Sequence, residues 1–184
     1  MKKVILFFTM LAIFSACSQE IASSDEYKKF DNDEFSFEYP ADWVEADMSN
    51  FNMAANIKAS FVSEKTGNNI IVEVHENEFL SPSAEFTANL IVDQFELFGV
   101  AWGISEYEKL NYIERDYNGQ KAGVLYAQYK IAQTGQLILT AQYIVPFGQK
   151  SYVLTYTIFE VVGSEEEMHE SINRIFDSFQ IKIK

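Results

Sequence analysis

The feature that most constrains the fold is a series of four strand-like segments, at residues 105–115, 120–131, 137–146 and 151–159. Turn signals separate them, at Asn118-Gly119, Thr134-Gly135 and Gly148. Such short connections join antiparallel neighbours, because a parallel crossover needs about a dozen residues or more. The segments therefore predict an antiparallel meander.

Earlier alternations predict further strands. Residues 35–39 alternate aromatic and polar side chains before Pro40, which places three aromatic rings on one face of a strand. Residues 59–64 and 69–76 are also strand-like, and the short connection between them contains Gly67. These two runs predict a β-hairpin.

Two helices interrupt the strands. The first is predicted over residues 82–98, with Ser81 as its N-cap and Pro82 at its first position. Its apolar side chains have mostly helical spacing, at Phe86, Leu90, Val92 and Phe95. The second begins with a capping box, Ser164 before three glutamates, and ends near Ser178. This order of elements predicts an α+β fold, an antiparallel sheet flanked by helices.

The N-terminus has the composition of an export signal. Lys2 and Lys3 precede a largely apolar run over residues 4–14, which is too short to span a bilayer because a span needs about 20 residues. The sequence Phe-Ser-Ala-Cys that ends at Cys17 resembles the lipobox of bacterial lipoproteins. By this resemblance Cys17 becomes the lipidated N-terminus. An ordinary signal peptide followed by an incidental cysteine is the alternative.

The domain boundaries follow from these signals. Residues 1–16 are the predicted signal peptide, residues 17–26 a polar, flexible tether, and residues 27–184 a single domain. Alternating apolar residues over 179–183 predict a strand that closes the domain. Cys17 is the only cysteine in the chain, so an intramolecular disulfide cannot stabilise the domain.

The charge of the chain excludes some partners. There are 14 basic and 27 acidic residues, and without Lys2 and Lys3 the formal charge is −15. Such a surface repels nucleic acid and anionic lipid headgroups, so we expect no nucleic acid among the partners. The acidity serves solubility, or it attracts cations or a basic protein surface.

Two aromatic motifs mark the ends of the domain, FSFEYPADW at residues 35–43 and INRIFDSF at residues 172–179. With the hairpin, the first helix and the antiparallel run, they resemble the PsbP/DcrB-like domain, whose members include an extrinsic photosystem II protein and periplasmic lipoproteins. The resemblance covers residues 27–184 and implies an α/β/α sandwich with a binding or accessory role. It transfers no active-site residue, because the matching positions are expected in the core.

Few residues offer chemistry. The two histidines, His75 and His169, are far apart in sequence and lack a zinc-binding spacing. Glu73, His75 and Asn77 share one face of a predicted strand, which is either a partial metal site or an ordinary solvated face. The sequence contains no nucleophile-elbow, phosphate-loop or dinucleotide motif. We therefore predict no enzyme, no cofactor and no complete metal site.

Two loops are further candidates for ligand binding. Residues 31–34 (DNDE) offer oxygen ligands suited to calcium but lack the rest of an EF-hand loop, and a turn rich in Asp and Asn is the alternative. Trp102 lies between glycines after the first helix, where it either anchors a ligand or packs over the sheet edge. The candidate ligand contacts are therefore Trp102, His75 and Glu73.

These features predict a membrane-anchored, non-enzymatic accessory or binding lipoprotein of the bacterial cell envelope, facing the periplasm or the cell exterior. Its expected partners are the lipid bilayer, through acylated Cys17, and an envelope protein. The alternative is an exported protein that binds a metal ion or a small ligand.

Overall fold

A computed structural model of the chain describes residues 26–47, 56–76, 82–159 and 165–182. The strands in these residues are β1 (Tyr27–Asp31), β2 (Phe35–Pro40), β3 (Val44–Glu45), β4 (Ile57–Val62), β5 (Asn69–Glu76), β6 (Ile104–Tyr117), β7 (Gln120–Ile131), β8 (Leu137–Phe147), β9 (Lys150–Ile158) and β10 (Gln180–Ile181). The helices are α1 (Ala84–Phe98), a short 3₁₀ helix (Gly99–Trp102) and α2 (Glu165–Ser178).

The strands form two antiparallel sheets. A central sheet has the order β3-β4-β5-β9-β8-β7-β6, and a small sheet has the order β1-β2-β10. The α+β class and the predicted meander, β6 to β9, are confirmed. The sequence predicted a single sheet. The second one arises because the aromatic strand β2 pairs with β1 and β10 instead of joining the meander.

The two faces of the central sheet carry different layers. Successive residues of a strand point to opposite faces, so Tyr143 and Val145 lie on one face and Ile144 lies on the other. Tyr143 and Val145 belong to the core that contains residues of α2 and the small sheet, and we call this side the α2 face. Ile144 packs with residues of α1 on what we call the α1 face. The predicted α/β/α sandwich is therefore confirmed.

The α2 face holds the larger core. Strand β2 contributes Phe35 and Phe37, and α2 contributes Phe176, whose ring stacks on Tyr143 at a centroid distance of 5.3 Å. The ring of Phe179, which follows α2, lies at a centroid distance of 5.7 Å from the ring of Phe35. The two sequence motifs that carry the family resemblance thus meet in the interior, as the resemblance implies.

Helix α1 begins later than predicted. Its N-cap is Ser83, whose hydroxyl accepts a 3.1 Å hydrogen bond from the backbone N–H of Phe86. The assignment of the cap to Ser81 and of the first helical position to Pro82 was therefore wrong. Ser83 stands three residues before Phe86, the spacing at which a cap hydroxyl reaches a free N–H of the first turn.

Candidate functional site

Two regions of the α1 face contain the described site candidates, and they lie at opposite ends of α1. Trp102 follows the C-terminal end of the helix. His75 pairs in register with Ser151, whose hydroxyl oxygen lies 3.5 Å from the Thr87 hydroxyl oxygen, near the start of the helix. Cys17 lies outside the described residues, together with the predicted signal peptide, so its lipidation stays a prediction.

Strand β5 places Glu73 and His75 on the same face, as the alternation predicts. The His75 Nε2 atom is 3.8 Å from the Glu73 Oε2 atom, and its Nδ1 atom is 3.5 Å from the side-chain nitrogen Nδ2 of Asn56. Asn77, the third residue predicted on this face, is outside the described residues. Within the residues that the structure describes, no three His, Cys, Asp or Glu side chains converge as metal ligands.

A polar hollow of about 390 Å³ adjoins this pair. Its lining consists mainly of charged and amide side chains, from Glu34, Asn56, Lys58, Val74, His75, Glu76 and Lys150. Two of the lining residues form an ion pair, from Lys150 Nζ to Glu34 Oε1 at 2.8 Å, and this hydrogen bond raises the pKa of Lys150. Mixed charge of this kind suits a small polar or zwitterionic solute rather than an apolar one.

The acidic turn between β1 and β2 is built around one asparagine. The Asn32 side-chain oxygen accepts hydrogen bonds from the backbone N–H groups of Glu34 and Phe35, at 2.8 and 2.9 Å. Asp31 pairs with Lys29 and Lys182, and the hydrogen bond from Lys182 is the main cause that lowers the pKa of the Asp31 carboxyl. These contacts are typical of a turn rich in Asp and Asn, which was the alternative to a calcium site.

Trp102 belongs to an aromatic cluster beneath the C-terminal end of α1, which consists of Phe95, Trp102, Tyr107 and Tyr129. Phe95 is its centre: its ring stacks on Tyr107 at 4.7 Å and on Tyr129 at 5.8 Å, and it meets Trp102 edge-on at 5.6 Å. Trp102 is half-buried. It packs over the end of the sheet, and its role as a ligand contact stays a prediction.

An irregularity in β6 directs Tyr107 into this cluster. The pairing of β6 with β7 shifts register between Ser105 and Glu108, and Glu106 has a positive φ of 52°. Such a bulge redirects the side chain that follows it. Burial raises the pKa of both Tyr107 and Tyr129 to about 12. The Tyr107 hydroxyl is buried without a hydrogen-bond partner among the described residues.

Large apolar side chains lie exposed on the outside of α1 and the 3₁₀ helix. We call this set the outer patch, and its exposed fractions are 55% for Phe86, 45% for Leu90, 75% for Leu97, 48% for Phe98 and 88% for Val100. The helix buries small residues instead, since Ala84 and Ala88 are 2% and 0% exposed. Helix α1 therefore turns some of its large apolar side chains, Phe86, Leu90 and Leu97, toward the solvent.

The outer patch was not found from the sequence. The spacing of Phe86, Leu90, Val92 and Phe95 predicts one helical stripe, but Phe86 and Leu90 are exposed while Val92 packs with the sheet. Phe86, Leu90 and Leu97 each lie two positions after an inward-facing residue, which is about 200° around the helix. The available signal was a second stripe of Ala84, Ala88 and Phe95.

No helix within the described ranges is both long and apolar enough to cross a membrane. No protein family model and no curated protein matches the sequence. A crystal structure from Bacteroides thetaiotaomicron VPI-5482 matches with 12% identity and a TM-score of 0.49, over 85% of this chain and 49% of that chain. The solution structure of cyanobacterial PsbP (CyanoP) from Synechocystis sp. PCC 6803 matches with 15% identity and a TM-score of 0.60, over 91% of this chain and 98% of that chain. The chain therefore has a PsbP-like fold.

Proposed function

We propose that the chain is a membrane-anchored, non-enzymatic accessory protein of the bacterial cell envelope, which binds a protein partner while a lipid on Cys17 holds it at the membrane. The observation that carries the binding role is the outer patch. Proteins seldom expose large apolar side chains together unless the surface meets another molecule. The aromatic cluster beneath the patch holds its C-terminal end in a defined shape, which favours specific binding.

The arrangement of polar groups supports a role in binding rather than catalysis. His75 lies on the α1 face, whereas His169 is on α2, with its ring 6.3 Å from Tyr126 on the α2 face. The central sheet separates the two histidines, so they do not form one site. The resemblance to the PsbP/DcrB-like family likewise implies an accessory or binding role, and the lipobox-like sequence before Cys17 supports the anchor.

The test is mass spectrometry of the full-length protein extracted from its native membrane. We expect the mature chain to begin at Cys17 with a diacylglycerol mass on the cysteine, and to be isolated together with a defined envelope protein. Cys17→Ser removes the lipid and releases the protein from the membrane, whereas the control Ser18→Ala retains both. An unlipidated chain that is isolated alone contradicts the proposal.

The polar hollow beside Glu73 and His75 supports a second candidate, an exported protein that carries a small polar ligand or a metal ion. Its volume of about 390 Å³ lies in the range of small-molecule sites, and its lining combines both charge signs with an imidazole. Trp102 lies at the other end of α1 and does not line this hollow.

Native mass spectrometry of the full-length protein, purified without chelators, tests this candidate. A stoichiometric added mass that disappears in His75→Ala or Glu76→Gln, two residues that line the hollow, supports it. The matched control is His169→Ala on α2, which retains the added mass. A wild-type protein with no added mass before or after incubation with Zn²⁺ or Ca²⁺ contradicts the metal-binding form.

A further inference from the structure

The apolar side chains of the outer patch recur along one side of α1. Phe86 and Leu97 are eleven residues apart, which is about three full turns, so they lie in line along the helix, and Leu90 lies between them. Phe98, the last residue of α1, and Val100 of the 3₁₀ helix continue the apolar surface. This is the pattern of a helix that inserts its side chains into a groove.

Carboxylates accompany this face. Helix α1 contains three acidic residues, Glu85, Asp93 and Glu96, and no Lys, Arg or His. Asp93 interrupts the apolar line, while Glu85 and Glu96, also eleven residues apart, share one side of it. Glu96 lies in the last turn, where a negative charge opposes the helix dipole, so its presence does not stabilise the helix.

Strand β6 borders the acidic side of the patch. Its Glu106 pairs with Lys130, and its Glu108 accepts a hydrogen bond from Gln128 at 2.7 Å. Lys109 is a neighbouring cation, with its Nζ atom 3.5 Å from the Asn89 side-chain oxygen on α1. With the carboxylates of α1, this side of the patch keeps an excess of negative charge.

The first described strand, β1, lies in the opposite layer. Tyr27, at the start of β1, shares a 2.9 Å hydrogen bond with Ser171 of α2, and the Arg174 guanidinium lies 3.8 Å over its ring. Tyr27 follows Cys17 by ten positions, so a fully extended tether reaches about 35 Å. Tyr27 thus lies on the α2 side of the central sheet, opposite the outer patch.

We propose that the outer patch is the docking face for an envelope protein whose apolar groove is bordered by Lys or Arg on the side that meets Glu85 and Glu96. The inference rests on the proposed accessory function, and it specifies the chemistry of the partner's binding surface. A second copy of this chain brings the same carboxylates and is repelled. An anionic bilayer is repelled for the same reason.

The edge of the sheet is a weaker docking surface than this helix. Strand β6 forms one edge of the central sheet, but its pairing is interrupted by two register shifts near Glu106 and Lys109. Bulges and charged side chains on an edge prevent the addition of another strand. The partner therefore meets α1 rather than extending the sheet.

Photo-crosslinking of the full-length protein in intact cells tests the docking face. p-Benzoyl-phenylalanine replaces Leu90 in one strain and Glu170, on the outside of α2, in the control strain. We expect Leu90 to yield a cross-link to one protein, at a peptide with apolar residues and neighbouring Lys or Arg. Leu97→Asp in the same chain lowers the yield by about tenfold or more, because it places a charge in the apolar centre.

Charge variants test the chemistry of the partner. Glu96→Lys lowers the cross-link yield by about threefold or more, because it repels the basic border of the groove. The matched control is Asp33→Lys, the same charge change in the turn between β1 and β2, and it leaves the yield unchanged. An unchanged or increased yield with Glu96→Lys overturns the proposed charge of the partner.

The remaining outcomes separate this inference from the proposed function. A Leu90 cross-link to a second copy or to lipid overturns the docking face, as does the absence of any Leu90 cross-link. If a lipidated protein cross-links to an envelope protein only through Glu170, the docking face fails and the accessory function stands. If neither position cross-links to a protein and Cys17 carries no lipid, both fail.

Discussion

Helices α1 and α2 cover opposite faces of one sheet, but they bury opposite kinds of side chain. Helix α2 turns Ile172, Ile175 and Phe176 into the core, whereas α1 buries Ala84 and Ala88. Hydrophobic burial scales with the apolar area removed from water, so α2, with its fully buried large side chains, contributes more to the stability of the fold. Phe86, Leu90 and Leu97 of α1 point outward, where they are available for binding.

Phe176→Ala on α2 tests this comparison with the largest expected effect. The ring is fully buried against Tyr143, so its removal leaves a cavity and lowers the free energy of unfolding by about 3–5 kcal/mol. Urea unfolding followed by circular dichroism measures the change. A loss below about 1 kcal/mol means that α2 does not anchor the core as described.

Gly123→Ala tests the packing of the α1 face. A Cβ atom at this position on β7 comes within 2.2 Å of the Tyr112 hydroxyl oxygen, and ring atoms of Tyr112 lie nearly as close. We expect a loss of about 1–3 kcal/mol in unfolding free energy, because Tyr112 must leave its place. In a Tyr112→Ala background the same substitution costs almost nothing. Equal costs in both backgrounds rule out this contact as the cause.

Local patterns predicted the elements of the meander well. The turn residues Gly119, Gly135 and Gly148 have positive φ, as their positions between strands predict. Strands β5 and β7 have the predicted bounds, because apolar alternation and turn chemistry act within a few residues.

Contacts between distant segments were not predictable in the same way. The sequence did not show that β2 belongs to a second sheet, since its pairing with β10 depends on residues about 140 positions away. The orientation of α1 also depends on the sheet beneath it: Ala88 packs with Leu125 and Ile144, and the bulge at Glu106 turns Tyr107 toward Phe95. The outer patch therefore became visible only in the structure.

The hydroxyl groups of Tyr117, on the α2 face, and Tyr107, on the α1 face, are expected to contribute differently to the free energy of unfolding. The Tyr117 hydroxyl accepts a 2.6 Å hydrogen bond from the backbone N–H of Ile181, which ties β10 to the central sheet. Tyr117→Phe therefore lowers the unfolding free energy by about 1 kcal/mol. The Tyr107 hydroxyl is buried without a partner among the described residues, so Tyr107→Phe leaves stability unchanged or raises it by about 1 kcal/mol. Equal losses in the two variants, measured by urea unfolding, mean that Tyr107 also has a partner.

Leu97→Ala has the smallest expected effect on stability and the most direct bearing on the outer patch. Leu97 is 75% exposed, so its truncation changes the unfolding free energy by no more than about 0.5 kcal/mol, and the high helix propensity of alanine offsets part of any loss. The matched variant on α2 is Ile172→Ala, which lowers the unfolding free energy by about 2–5 kcal/mol because Ile172 is fully buried. Parallel urea titrations of the two variants compare the helices at equal chemical change. If Leu97→Ala costs more than about 1 kcal/mol, the side chain packs within the fold, and the outer patch loses its claim as a docking face.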